Sequence, residues 1–157
     1  MKIKLIAIGK TDSKEIENLM SIYTNRLTHY VKFEVLIIPD IKNTKNLSES
    51  EQKRKEGEAI LKQLVPSDIL ILLDEKGKQF SSVEFSELLQ KRMNSGIKNL
   101  LFVIGGPYGF SSAIQERANQ KISLSKMTFS HQMVRLFVVE QLYRGYTILK
   151  NEPYHHQ

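Results

Sequence analysis

The sequence predicts an α/β fold built on a parallel sheet that is covered on both faces. Short apolar runs of strand length recur along the chain, and segments with apolar spacing of three or four residues separate them. The Leu- and Ile-rich runs carry little polar alternation, as in strands buried on both sides. At 157 residues and 41% hydrophobic content the chain supports one sizeable core but not two, so residues 1–157 read as one domain.

The first run, Ile3 to Ile8, is too short to span a bilayer and lacks a small-residue cleavage site, so it is expected to be a strand and not a signal or anchor. Further strands are expected at Phe33 to Ile38, Ile69 to Leu73, Leu100 to Ile104 and, more weakly, Ile122 to Leu124. The spacing of Ile16, Leu19, Met20, Tyr23 and Leu27 predicts a first helix; Ala59, Ile60, Gln63 and Leu64 predict a second. Asp12 with Glu15, Ser48 with Glu51 and Ser81 with Glu84 mark helix starts, because a short oxygen-bearing side chain and a glutamate three residues on satisfy free backbone N–H groups reciprocally. Pro66 follows the second helix, and Gly96 follows a third built on Phe85, Leu88, Leu89 and Met93. The charged stretch Lys42 to Lys55 reads as a loop entering a solvated helix. In the last helix the apolar residues from Met133 to Tyr146 cover more than one face, which suggests that one face meets the sheet and the other a second copy of the chain.

Lys and Arg total 23 against 17 Asp and Glu, a formal charge of +6 that suits a polyanionic partner. With no cysteine, disulfides and thiolate metal sites are excluded and a reducing compartment is permitted; the expected location is cytoplasmic. The four histidines, His29, His131, His155 and His156, have no metal-ligand spacing, so no metal is expected.

Gly9-Lys10-Thr11 mimics the end of a phosphate-binding P-loop, but the glycine needed five positions earlier is Lys4. A Ser-His-Asp hydrolase would need a G-x-S-x-G elbow, which is absent. A nucleotide-dependent oxidoreductase would show its glycine fingerprint after the first strand, and none is there. The glycine-rich turn Gly105-Gly106-Pro107-Tyr108-Gly109-Phe110 instead follows the fourth strand, at a carboxyl end, where open α/β sheets bind ligands. A ribosome-binding protein without catalysis would keep the basic surface but have no need for this turn.

Basic and aromatic groups gather late in the chain: Lys126, Phe129, His131, Arg135, Tyr143, Arg144, Tyr154 and His155. Such groups hold phosphates and stack exposed bases. The stretches Val103 to Gly109, Leu124 to Arg135, Glu140 to Tyr146 and Glu152 to His155, in this order and spacing, resemble the ribosomal RNA large-subunit methyltransferase H (RlmH) family of the SPOUT superfamily. The resemblance covers essentially the whole chain. Ser130 stands where the family usually has proline, Asn151 where it usually has glycine, and His156 where a basic residue commonly follows the tail histidine.

The resemblance implies a SPOUT-type α/β knot, a parallel-sheet core with a C-terminal trefoil knot, which no periodicity argument reaches. It implies a homodimer and S-adenosyl-L-methionine as cofactor. The implied substrate is a pseudouridine of large-subunit (23S) ribosomal RNA, methylated at N3 on the assembled 70S ribosome. The cofactor contacts it implies are Leu73, Gly105, Gly106, Leu124, Ser125, Lys126, Met127, Thr128 and Phe129, where backbone groups read the adenine edges and Leu73, Leu124 and Met127 cover its faces. His155, His131 or Glu140 would accept the N3 proton; His155 ranks first because imidazole as a group titrates near neutrality and a tail at a dimer seam can close over a docked base. Arg135 and Arg144 are candidates for holding RNA phosphate or the tail, Tyr154 for stacking. Glu140 is equally suited to pairing with an arginine.

Overall fold

The computed structural model describes residues 1–156. Five parallel strands form one sheet: β1 (Lys2–Ile8), β2 (Lys32–Ile38), β3 (Ile69–Gln79), β4 (Asn99–Ile104) and β5 (Gln120–Ser123), in the order β2-β1-β4-β3-β5. The helices are α1 (Lys14–Leu27), α2 (Glu49–Leu61), α3 (Ser82–Asn94), α4 (Ser112–Arg117) and α5 (His131–Leu149), with a 3₁₀ turn at Thr44–Asn46.

Period-two alternation divides each strand between two cores. Ile3, Leu5 and Ala7 of β1 and Leu100, Phe102 and Ile104 of β4 face α1, α3 and α5. Ile6, Ile8, Leu101 and Val103 face α2 and α4 through Ile60 and Ile114. Phe102, 1% exposed, sits edge-on to Phe85 of α3 with ring centres 6.0 Å apart. Truncating it to alanine would cost about 3–5 kcal/mol, enough to threaten the fold.

Two helix starts fall where expected. Ser48 accepts from the Glu51 N–H, and Ser81 with Glu84 forms a complete capping box. The first helix starts one residue later than expected: Ser13, not Asp12, caps it, accepting from Ile16 N–H at 3.3 Å, and Ser13 Oγ itself donates to Glu15 at 2.8 Å. The Ser130 side chain caps α5 by accepting from Met133 N–H, so serine at that position secures the helix start. Asn151 has a φ of 55°, a left-handed conformation that asparagine tolerates better than most residues with a Cβ.

Two elements went unread in the sequence. β3 continues past Leu73 through a bulge to Gln79, re-pairing with Ile122 and Ser123, and Gly77 lets the two backbones approach where a Cβ would lie 2.5 Å from Ile122. The short helix α4 was also missed. The wide apolar surface of α5 has an internal explanation, since α1 and α3 flank it and Gly145 admits Leu89 of α3 where a Cβ would lie 2.8 Å from its methyl group. No helix among the described residues is long and apolar enough to cross a membrane.

Candidate functional site

A cleft of about 530 Å³ opens at the carboxyl ends of β4 and β5 and the bulge of β3 after Leu73. Its walls are Leu73, the turn Gly105 to Phe110, and the segment after β5, with Leu124, Ser125, Met127, Thr128, Phe129 and His131 all facing it. Of the expected cofactor contacts only Lys126 does not line the cleft. Met127 lines the cleft at its rim, where it is 75% exposed.

Local hydrogen bonds shape both loops. Gly109 N–H donates to the Gly106 carbonyl at 3.1 Å, with Gly109 at a φ of 80° that favours glycine. Ser123 Oγ donates to the Ser125 carbonyl at 2.8 Å, and the Met127 N–H donates to Ser125 Oγ at 3.0 Å. His131, at the first position of α5, contacts the Gly105 carbonyl through Nδ1 at 2.8 Å. A carbonyl only accepts, so Nδ1 carries the proton and Nε2 is left available as an acceptor in the neutral ring.

Behind the glycine turn lies a carboxyl group that sequence reasoning missed. Glu56 of α2 is 3% exposed; one oxygen accepts from Gln52 at 3.1 Å, and Oε2 is buried without a partner. Burial lifts its pKa above the usual carboxylate range, the negative charge of Asp40 adds to this, and the Gln52 hydrogen bond and His131 oppose it. The only sequence signal is Glu56-Gly57 inside a highly charged helix. Lys53, Lys76 and Lys121, also unread, line the cleft together with Asp74 and Glu75, so its lining cations outnumber its lining carboxylates by one.

Arg135 is not an open phosphate ligand. It is 2% exposed, donating from Nη2 to the Ile8 carbonyl at 2.7 Å and from Nη1 to the Gly9 carbonyl at 2.8 Å. Its cation ties α5 to the end of β1, because a buried guanidinium needs fixed acceptors and the strand-end carbonyls supply them.

Arg144 does hold the tail. Its Nη2 pairs with Glu140 at 2.6 Å, Nη1 donates to His155 Nδ1 at 3.2 Å, and the guanidinium carbon lies 4.7 Å from the centre of the Tyr154 ring. Tyr154 donates its hydroxyl proton to Glu140 at 2.9 Å and meets Tyr143 edge-on. Burial, then hydrogen bonding with Tyr23 and Glu140, pushes the Tyr154 phenol well above its ordinary pKa. Tyr30 donates to Glu152 and is raised to about 12, first by that bond. Glu140, Arg144, Tyr154 and His155 thus form one cluster, whereas His131 belongs to the cleft. Thirteen residues of α5 separate Arg144 from His131, about 20 Å along the axis.

An apolar cavity of about 370 Å³ adjoins the cleft, lined by Phe80, Phe85, Phe129, Phe137 and Val138 among others. Phe129 and Phe137 meet there at 5.1 Å between ring centres. Among the described residues no group of three or more His, Asp or Glu is placed to hold a metal ion.

Comparison with known proteins agrees with this geometry. The family described as "Predicted SPOUT methyltransferase" matches residues 1–155. The chain is 70% identical to the ribosomal RNA large subunit methyltransferase H of Flavobacterium johnsoniae and 62% identical to that of Parabacteroides distasonis, each over the full length of both chains. The protein of that name from Porphyromonas gingivalis is 56% identical over the same span. A parallel sheet with a glycine turn and a ligand-sized cleft at its carboxyl edge, matched along its length in this way, belongs to the SPOUT methyltransferase family, whose fold carries a knotted C-terminal half.

Proposed function

We propose that the chain methylates N3 of a pseudouridine in large-subunit (23S) ribosomal RNA, using S-adenosyl-L-methionine and acting as a cytoplasmic homodimer on the assembled ribosome. The observation that carries the reading is the cleft at the carboxyl ends of β4 and β5 and the bulge of β3. Within its glycine turn a Cβ on Gly106 would lie 2.3 Å from Glu56, and one on Gly105 would sit tightly at 3.1 Å from the Phe110 ring. A glycine turn lining the cleft beside Leu73 and Leu124 suits an adenosine, whose edges need amide and carbonyl partners and whose faces need apolar cover. The relatives' names supply the substrate class.

When bound, S-adenosylmethionine supplies a sulfonium-activated methyl group, so the chain's own task is alignment and handling of the N3 proton. His131 is better prepared to take that proton than His155. Its Nε2 is free in the neutral ring that donates to Gly105, whereas His155 Nδ1 accepts from Arg144, which leaves the proton on Nε2. In that state His155 donates a hydrogen bond to a base carbonyl. Glu140 already accepts from Arg144 and Tyr154.

The separation of cleft and tail supports the homodimer. With Tyr154 and His155 held about 20 Å along α5 from His131, a tail reaches a cleft most simply when it is supplied by the other copy. The open Phe129–Phe137 cavity gives that copy an apolar surface to cover.

Isothermal titration with S-adenosylmethionine alone tests the cofactor reading. Saturable binding near one donor per chain without RNA is expected. Heats no different from dilution would remove the cleft as a donor site.

A further inference from the structure

Two adjacent residues of α2 press against the glycine turn. A Cβ on Gly57 would lie 2.3 Å from Ser111 Oγ and 3.3 Å from Ile114, so α2 approaches the start of α4 closely at a position where a side chain would displace the Ser111 hydroxyl. Glycine inside a helix costs about 1 kcal/mol relative to alanine, and here it allows close approach of the two segments. That approach drives Glu56 under Gly106, where the ideal Cβ position lies 2.3 Å from Oε2, 2.5 Å from Oε1 and 2.6 Å from the carboxyl carbon. The carboxyl group occupies the space of the side chain that Gly106 lacks. Burying a carboxyl with one oxygen unpartnered is unfavourable, and a solvated glutamate at this helix position would be cheaper for stability alone.

We propose that Glu56 is a positioning residue for the methyl donor: its buried carboxyl group substitutes for a side chain on Gly106 and fixes the shape of the Gly105–Gly106 turn that the donor contacts. The turn is then gripped from three sides, by Glu56 beneath Gly106, by the Phe110 ring against Gly105, and by His131 on the Gly105 carbonyl. Glu56 does not line the cleft and acts only through the turn, which makes it distinct from the residues that touch the donor. This inference rests on the cleft being the donor site.

The test compares wild type with Glu56→Ala, Glu56→Gln, Gly106→Ala and the double variant Glu56→Ala/Gly106→Ala, by titration with S-adenosylmethionine and by steady-state methylation of ribosomes. Glu56→Ala and Gly106→Ala are each expected to weaken donor binding about tenfold or more, with kcat and the KM for ribosomes changed less than about twofold. Glu56→Gln, which keeps the group's size, restores binding to within about twofold of wild type. The double variant binds better than Gly106→Ala, because removing the carboxyl makes room for the new methyl group. Losses that simply add, or a Glu56→Ala variant that binds as wild type does, overturn the proposal. So does a loss in which kcat falls and the donor KM stays constant. Wild type that fails to bind the donor overturns the underlying site reading instead, and the inference with it.

Discussion

Arg135, in the second turn of α5, donates to the carbonyl of Ile8, the last residue of β1, at 2.7 Å and across 127 positions of sequence. Together with its bonds to Gly9 and Thr11 this makes one side chain the clamp between the last helix and the first strand. Arg135→Ala leaves buried acceptors unpaired and is expected to cost about 3–5 kcal/mol, read as a melting temperature lower by roughly 10 °C. Arg135→Lys recovers little, because an ammonium cannot span the three acceptors of the guanidinium fork. A variant that melts within a degree or two of wild type would contradict the clamp.

The lysines lining the cleft lead to a different expectation. RNA affinity should fall steeply with salt, and alanine at Lys53, Lys76 or Lys121 should each reduce the slope of log affinity against log salt by about one. Substitution of Arg135, whose charge is enclosed, should not change that slope in protein that remains folded. Filter binding across a salt series measures both.

At the tail, Tyr154→Phe removes one hydrogen bond to Glu140, worth about 1 kcal/mol, while keeping the ring against Arg144. Methylation of ribosomes is expected to fall several-fold, with donor binding unchanged. A parallel loss of donor affinity would place the tail against the donor and not only against the RNA.

Glu56 also sets a pH dependence of stability. Its pKa is raised in the folded chain, so its contribution is fully present below the ordinary carboxylate value and is lost as pH rises through the folded value. Glu56→Gln cannot ionise and escapes that loss. The melting temperature of Glu56→Gln relative to wild type should therefore climb as pH rises above the ordinary carboxylate value. A flat difference would show that the carboxyl ionises without penalty, although Asp40 and burial oppose it.

Asn151 offers a test of backbone strain. At a φ of 55°, Asn151→Gly relieves a modest left-handed penalty while loosening the unfolded chain, so stability should shift by less than about 0.5 kcal/mol. Asn151→Val, branched at Cβ, should lose about 1–2 kcal/mol.

Much of the scaffold was legible because its signals are local. Apolar runs marked all five strands, and Ser48 and Ser81 marked two helix starts through contacts three residues long. β3 beyond Leu73 was not, since the run Asp74-Glu75-Lys76-Gly77-Lys78 reads as a loop and is kept extended only by pairing with β5. The glycine turn was legible from its place after the fourth strand and the segment after β5 through its resemblance to a family, and both line one cleft. Arg135, a candidate from sequence for holding RNA phosphate or the tail, is enclosed instead, and nothing nearby in sequence reveals that its acceptors are the carbonyls of Ile8 and Gly9. Glu56 escaped notice for the same reason: its partner Gly106 lies 50 positions away, and a glutamate among charged neighbours looks solvated.

The most direct measurement is transfer of label from S-adenosylmethionine to intact ribosomes that lack this modification, with free ribosomal RNA and separate subunits in parallel. Label at N3 of a single large-subunit pseudouridine, on assembled particles only, is the expected result. Label on none of these substrates, from protein that binds the donor saturably, would contradict it.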